Sequence, residues 1–274
     1  MSIELGGHIF STPHLKLDES VRVWRALGMS VMDLGNGADL DPDVVGAHPE
    51  REAERVRAIG ERHGMRFYDA FPQATDKHIT NTPDEEEYVH QRQVYAGWID
   101  FAAEVGLDGI SLSPGKYWPG VDAETAFTRG RDQLIPLAEH AAARGVRLRI
   151  EPHVESVTWS PELALRMLDE VQGLSLTVDH SHFVFHGMTY EQIAVMHPHG
   201  THWHARQAAL GKLQTGFDDG EIDFARIVGD LKAADYNGII ALEIVHVGWL
   251  SLDGQDVLSE TVRLRDQLYD LLGP

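Results

Sequence analysis

The chain has 274 residues, 43% hydrophobic and 24% charged, enough to bury one sizeable core, and no cysteine, which excludes disulfides, thiolate metal sites and a cysteine nucleophile. Its 43 acidic residues against 23 basic ones leave a formal charge of −20, a field that repels nucleic acid and anionic membranes, because both are bound through Lys and Arg replacing counterions. No segment approaches the ~20 apolar residues of a membrane span, and the opening MSIELGGHIF has no basic stretch ahead of an apolar run, so a soluble, cytoplasmic protein is expected, as a monomer or a homo-oligomer.

One alternation runs along the chain. IELGGHIF, from residue 3, is a short apolar run followed by the helical period of DESVRVWRALG. MSVMDLG, from residue 29, leads to REAERVRAIGERHG, and MRFYDAF, from residue 65, to DEEEYVHQRQVYAGWIDFAAEVG. LDGISLSPG precedes TAFTRGRDQLIPLAEHAAARG, VRLRIEPH precedes SPELALRMLDEV, and LSLTVDHSHF precedes the weaker TYEQIAVM. THWHARQ leads into IDFARIVGDLKAADYN, and GIIALEIVHVG into LSETVRLRDQLYDLL. Four junctions, ALG-MSVMDL, ERHG-MRFYD, AARG-VRLRI and DYNG-IIALE, put Gly between helix and strand, where a left-handed residue makes the sharp turn. Continuous apolarity in VRLRI, LSLTV and IIALEI suits parallel strands covered by helices. Eight such units in about 250 residues predict an α/β fold, a (β/α)8 TIM barrel forming a single domain over residues 1–274. A doubly wound sheet is the structural alternative, but the chain lacks its Gly-rich phosphate turn.

In such a barrel the active site gathers at the C-terminal ends of the strands. Those ends carry Glu151, His153, Asp179, His182, His204, Arg206 and Glu243. Each has an ordinary reading: Glu151 before Pro152 as a loop start, Asp179 as a turn cap, the histidines as satisfied core residues, Arg206 as a partner for any acid. Glu243 resists that treatment, because IIALEIV is otherwise an apolar strand and an unpaired buried carboxylate is costly. The ordinary readings would also have to coincide at the same end of four successive strands, so one shared site is the better account. Three converging carboxylates repel one another unless a cation holds them ionised, which a divalent ion does. Oxygen-rich ligation favours Mn or Mg over Zn, Co or Fe.

The series IEPH, VDHSH, HWHARQ and LEIV resembles the xylose-isomerase-like barrel superfamily, in particular its sugar phosphate isomerase/epimerase group. The segment from HARQAALGKLQTG through GEIDFARIVGDLKAADYNGIIALEIV is especially similar, and the likeness is strong over residues 146–246. The resemblance implies that Glu151, Asp179, His204 and Glu243 bind one divalent metal ion, and that His182 matches a substrate-binding histidine of the ketose 3-epimerases. Two departures stand out. The further substrate-binding Glu of those epimerases falls on Val157 here, and an arginine of their seventh loop on Leu210, with Glu155 or Arg206 as candidate substitutes. The Glu151-Pro152-His153 arrangement instead is similar to 3-dehydroshikimate dehydratases, whose histidine is a base paired with a lysine at the position of Arg206.

The resulting expectation is a metal-dependent isomerase or epimerase of a sugar or keto-sugar, abstracting a proton next to a carbonyl through a metal-stabilised enediolate. Glu151 and Glu243 are the expected proton carriers with His153 as a further base, and His182, Arg206 and His8 the substrate contacts. Phe10, Phe71, Trp118, Trp159, Phe183 and Trp249 are the candidate pocket walls. The alternative is a metal-dependent dehydratase of a keto-polyol or dehydroshikimate type. Two further readings rank lower: a DNA-repair endonuclease of the same superfamily, which the charge and the stretch GFDDGEIDF, lacking an Asp-x-His pair, disfavour, and a non-catalytic binding protein.

Overall fold

Every short apolar run becomes a strand: β1 (Glu4–His8), β2 (Val31–Gly35), β3 (Arg66–Phe71), β4 (Gly109–Leu112), β5 (Arg147–Ile150), β6 (Leu174–Asp179), β7 (Gly200–Ala205) and β8 (Ile239–Leu242). The computed structural model describes residues 3–37, 39–72 and 80–273; Met1, Ser2 and Pro274, within the domain bounds expected above, lie outside that range. All ladders are parallel in the order β3-β2-β1-β8-β7-β6-β5-β4. The two end strands meet: the Asp108 N–H, just before β4, donates to Tyr68 O on β3 at 2.8 Å. This is the expected (β/α)8 barrel. Its strands are buried along nearly their whole length, between an interior and a helical layer, which is why their apolar runs are continuous.

The helices are α1 (Leu17–Ala26), α2 (Pro42–Ala47), α3 (Pro49–His63), α4 (Glu85–Val105), α5 (Ala123–Arg144), α6 (Pro161–Glu170), α7 (Ser181–Phe185), α8 (Tyr190–Ala194), α9 (Phe224–Ala233) and α10 (Val257–Leu272). The short α2 and α7 are additions to the one-helix-per-strand pattern. Asp84, Asp122, Ser160, Asp223 and Asp256 each start a helix by accepting a first-turn N–H. Gly64, Gly106 and Gly145 end α3, α4 and α5 in the left-handed region, with φ of 62°, 84° and 71°. The DYNG junction works differently. There Asp235 takes the positive φ, 52°, and Gly238 is required because a Cβ would lie 2.4 Å from the Tyr236 hydroxyl.

Below the mouth, the barrel interior is polar. Arg149 on β5 is fully buried, with Nη1 2.7 Å from Asp69 Oδ1, Nε donating to Thr201 Oγ1 at 2.8 Å, and its remaining arm on Asp108. Ser111 Oγ donates to Asp69 Oδ2 at 2.5 Å. Burial pushes the Asp69 carboxyl up and Arg149 opposes that shift, so the pair holds two charges that neither residue could keep there alone. Substituting Arg149→Met is expected to leave Asp69 uncompensated and to cost about 3–5 kcal/mol in urea unfolding; a loss below about 1 kcal/mol, the level of an exposed ion pair, would show that the interior pair carries little of the stability.

Candidate active site

The strands that deliver the site end level with one another. Asp179 on β6 is in register with His204 on β7, Ala205 with Leu242 on β8, and the Glu243 N–H donates to Ala205 O at 3.0 Å. Glu151 stands one residue past β5, its N–H on Leu112 O at 3.1 Å. Seven side chains are thereby brought to one place. His204 Nδ1 lies 2.7 Å from Glu151 Oε1 and 3.3 Å from Glu243 Oε2. His182 Nε2 is 3.6 Å from Asp179 Oδ2 and 3.9 Å from Glu151 Oε2. The Arg206 guanidinium is 2.8 Å from Asp179 Oδ2 and 3.7 Å from Glu243 Oε2, and its Nε donates to Ser181 Oγ at 2.9 Å. His153 donates from Nδ1 to Val154 O at 2.7 Å, leaving Nε2 to accept from Ser113 Oγ at 2.8 Å.

The charges in this cluster set one another. Burial pushes the Glu151 carboxyl up to about 7 against the pull of His204. Burial acts on Glu243 in the same sense, but Arg206 and His204 outweigh it and hold that carboxyl below the usual range. Two neighbouring glutamates thus differ widely in proton affinity, the arrangement that separates an acid from a base. Burial raises Asp179 despite Arg206. For His204, burial disfavours the cation, yet Glu243 and Glu151 prevail and hold it well above its ordinary value. His182 is the opposite case. Burial first, then Arg206, keep it well below, and its ring faces donors on both sides, the Val154 N–H at 3.2 Å and Arg206 Nη2 at 2.9 Å.

A cavity of about 340 Å³ opens above the cluster, with Glu151, His153, His182, Arg206 and Glu243 on its floor and Phe10, Phe71, Val247 and Trp249 among its walls. The donor atoms suit a divalent cation. Glu151, His204 and Glu243 offer atoms within 4.8 Å of one another, as do Glu151, Asp179 and His182. Asp179 Oδ2, close to Arg206 but out of alignment with it, and Glu243 Oε2 are buried without a hydrogen-bond partner. Buried carboxylate oxygens in that condition fit a cation as their counter-charge.

The sequence profile of the xylose isomerase-like TIM barrel matches residues 21–267. The chain belongs to that family. Comparison with curated protein sequences gave no match. Among solved structures, this xylose isomerase-like barrel is similar to a D-psicose 3-epimerase crystallised in the presence of D-fructose, at a TM-score of 0.77 and 15% identity over 99% of this chain and 100% of that one. It is also similar to the E. coli 3-keto-D-glucoside 4-epimerase, at 0.77 and 16% over 97% and 98%. A D-psicose 3-epimerase with D-tagatose from Clostridium cellulolyticum H10 superposes at 0.78 and 13% over 99% and 100%. At these identities the superpositions speak for the fold.

Not every expected residue reaches the cavity of this xylose isomerase-like barrel. His8, expected as a substrate contact, is fully buried and outside the cavity lining, with Nδ1 accepting the Phe10 N–H at 3.1 Å and its ring packed edge-on against His204, centroids 5.0 Å apart. Phe10, Phe71 and Trp249 do line the cavity, whereas Phe183 is sealed in the core by α7. Trp118 donates to Asn81 Oδ1 at 3.0 Å, and Trp159 packs edge-on to His186, both outside the cavity lining. Glu155 does not replace the missing Glu at Val157: it is exposed, with φ of 64°, in a separate hollow beside Tyr117. Leu210 is 67% exposed. Sequence reasoning missed Ser113, which orients His153, and Asp33, which faces His202 and His204 from β2. The signal for Asp33 was an acid inside the apolar run MSVMDLG.

A cation held by these atoms would compete with protons for them. With Glu151 raised to about 7 and His204 held well above its ordinary value, Mn2+ binding is expected to displace protons, so apparent affinity should rise with pH through neutrality and fall as pH drops below about 7. Calorimetry in two buffers of different ionisation enthalpy counts the released protons; a pH-independent affinity with none released would place the ion elsewhere.

Proposed function

We propose that the protein is a divalent-metal-dependent isomerase or epimerase of a sugar or keto-sugar, a soluble cytoplasmic enzyme using Mn or Mg held by Glu151, Asp179, His204 and Glu243. The observation that carries this reading is the pair Glu151 and Glu243, both within reach of His204 and with proton affinities driven apart. A divalent ion in this donor set would polarise a substrate carbonyl and acidify the adjoining C–H. Of the protein groups, one glutamate accepts that proton and the other returns one to the opposite face or the neighbouring carbon. Arg206 and His182 face substrate oxygens from one side of the floor, and Phe10 and Trp249 give the sugar ring an apolar surface. The similar solved structures, among them epimerases with D-fructose or D-tagatose, support a sugar of that size.

The dehydratase reading rests on His153, which lines the cavity. Its Nε2 accepts from Ser113, burial keeps its proton affinity below the ordinary value, and its counterpart just past the seventh strand is Arg206, which does not release a proton. His153→Ala is therefore expected to keep its metal and its solvent-deuterium exchange at substrate carbon, raising KM with at most about a tenfold effect on kcat. Glu151→Gln should abolish exchange. Loss of exchange in His153→Ala at unchanged metal occupancy and substrate affinity would make His153 the base and favour the dehydratase.

Nucleic acid is not the substrate on this reading. The segment where the DNA-repair enzymes carry an Asp-x-His pair is here a short turn, Phe217–Asp219, whose Asp218 pairs with Arg263 at 2.6 Å. Abasic-site DNA supplied with Zn2+ or Mn2+ is expected to remain uncut, and metal-dependent incision at the rate of sugar turnover would overturn the assignment.

A further inference from the structure

Beneath the carboxylates, imidazole nitrogens converge on one buried acid. Asp33 on β2 is 1% exposed. Its Oδ2 accepts from His202 Nε2 at 2.7 Å and lies 3.9 Å from His204 Nε2, and its Oδ1 accepts the Asp69 N–H at 3.1 Å. His8 joins from β1: because its Nδ1 accepts the Phe10 N–H, its proton sits on Nε2. Both His8 Nε2 and His204 Nε2 are buried without a hydrogen-bond partner, and His8, Asp33 and His204 offer polar atoms within 4.8 Å of one another.

The period of β7 explains the arrangement. Residues 202 and 204 point to the same, interior face, so both imidazoles look across the barrel at β2. His204 then has two working edges. Nδ1 faces Glu151 and Glu243, and Nε2 faces Asp33. An imidazole that ligates through one nitrogen carries its proton on the other, and a buried N–H without an acceptor is disfavoured by about 1–3 kcal/mol. The carboxylate within reach of that N–H is Asp33, and an approach of about 1 Å closes the contact to hydrogen-bond length.

We propose that Asp33 is a positioning residue for the metal centre: it takes the His204 Nε2–H, fixes the tautomer that leaves Nδ1 free, and aims Nδ1 at the space between Glu151 and Glu243. The proposal rests on the reading of His204 as a metal donor. It also gives a use to the polar interior. Asp33 is anchored by His202 and by the Asp69 backbone, and Asp69 is anchored by Arg149, so the orientation of one ligand is referred back to β2, β3 and β5. His8 brings a further imidazole to the same buried space, within 4.8 Å of Asp33 and His204.

The test is the apparent affinity for Mn2+, measured by chelator competition on the purified full chain. Asp33→Asn keeps the shape and removes the charge, and is expected to weaken Mn2+ binding 10- to 100-fold while circular dichroism and cooperative melting show a folded barrel. Ser175→Ala, elsewhere on β6, controls for general loosening and should leave affinity within about twofold. Should Asp33→Asn fail to fold, the wild-type protein labelled with 15N-histidine and loaded with 113Cd2+ carries the test by itself: cadmium coupling to His204 Nδ1, with a slowly exchanging proton on Nε2, is expected. Unchanged Mn2+ affinity in folded Asp33→Asn, or cadmium coupling to Nε2, overturns the positioning role alone. Two ions per chain with one lost in His8→Ala would also overturn it, by making Asp33 a ligand. A wild-type chain that binds no divalent ion overturns the metal reading and this proposal together.

Discussion

Burying three carboxylates around one imidazole and one guanidinium, those of His204 and Arg206, is the constraint on which the rest of the molecule turns. Glu151, Asp179 and Glu243 are each less than 5% exposed, and an ionised carboxylate taken out of water is strongly disfavoured unless a positive charge accompanies it. The chain supplies two such charges of its own, at His204 and Arg206, and their placement is uneven. Glu243 has both within 4 Å, whereas Glu151 has His204 alone at hydrogen-bond distance. That geometric inequality is the origin of the difference in proton affinity between two otherwise equivalent glutamates.

The uneven placement is possible because the barrel fixes side chains from different strands at one height. β6, β7 and β8 are in direct register at the level of Asp179, His204 and Ala241, so a side chain cannot retreat along its strand without shifting its neighbours. A helical bundle or a set of loops would let mutually repelling carboxylates relax apart; three strands hydrogen-bonded in register do not. The cost is carried lower in the barrel, where Arg149 and Asp69 are fully buried and replace apolar packing with a satisfied ion pair. Such a pair stabilises little compared with hydrophobic residues of the same volume, which argues that it is retained for what it holds in place.

The fold was legible because its signal is repeated. Eight apolar runs alternating with helical periods admit few topologies, and the Gly junctions at residues 64 and 145 mark the turns by their φ requirement. The site was legible for the same reason one level down: IEPH, VDHSH, HWHARQ and LEIV put polar residues where strands end, and strand ends in this architecture share a mouth. What could not be read was direction. His8 also lies at a strand end, yet its ring turns into the barrel, because the Phe10 N–H claims Nδ1. Phe183 falls in the loop after a strand, yet α7 forms there and folds it into the core. Nothing in a one-dimensional pattern distinguishes a side chain that lines a cavity from one that seals its floor.

The interior acids and bases were overlooked for a different reason, and a correctable one. Arg149 and Asp33 each sit within an apolar run and ahead of its end, where the mouth cannot account for them. A charged residue at such a position has to find its partner inside the barrel, because solvent reaches neither face. Two or more of them on different strands therefore imply contact with one another, directly or through a shared neighbour. Here the shared neighbour is Asp69, whose carboxylate meets Arg149 and whose backbone meets Asp33. Read by that rule, the acid in MSVMDLG, the acid in MRFYDAF, the second arginine of VRLRI and the first histidine of HWHARQ are four fragments of one network. Its upper end is an imidazole with one edge on Glu151 and Glu243 and the other facing Asp33.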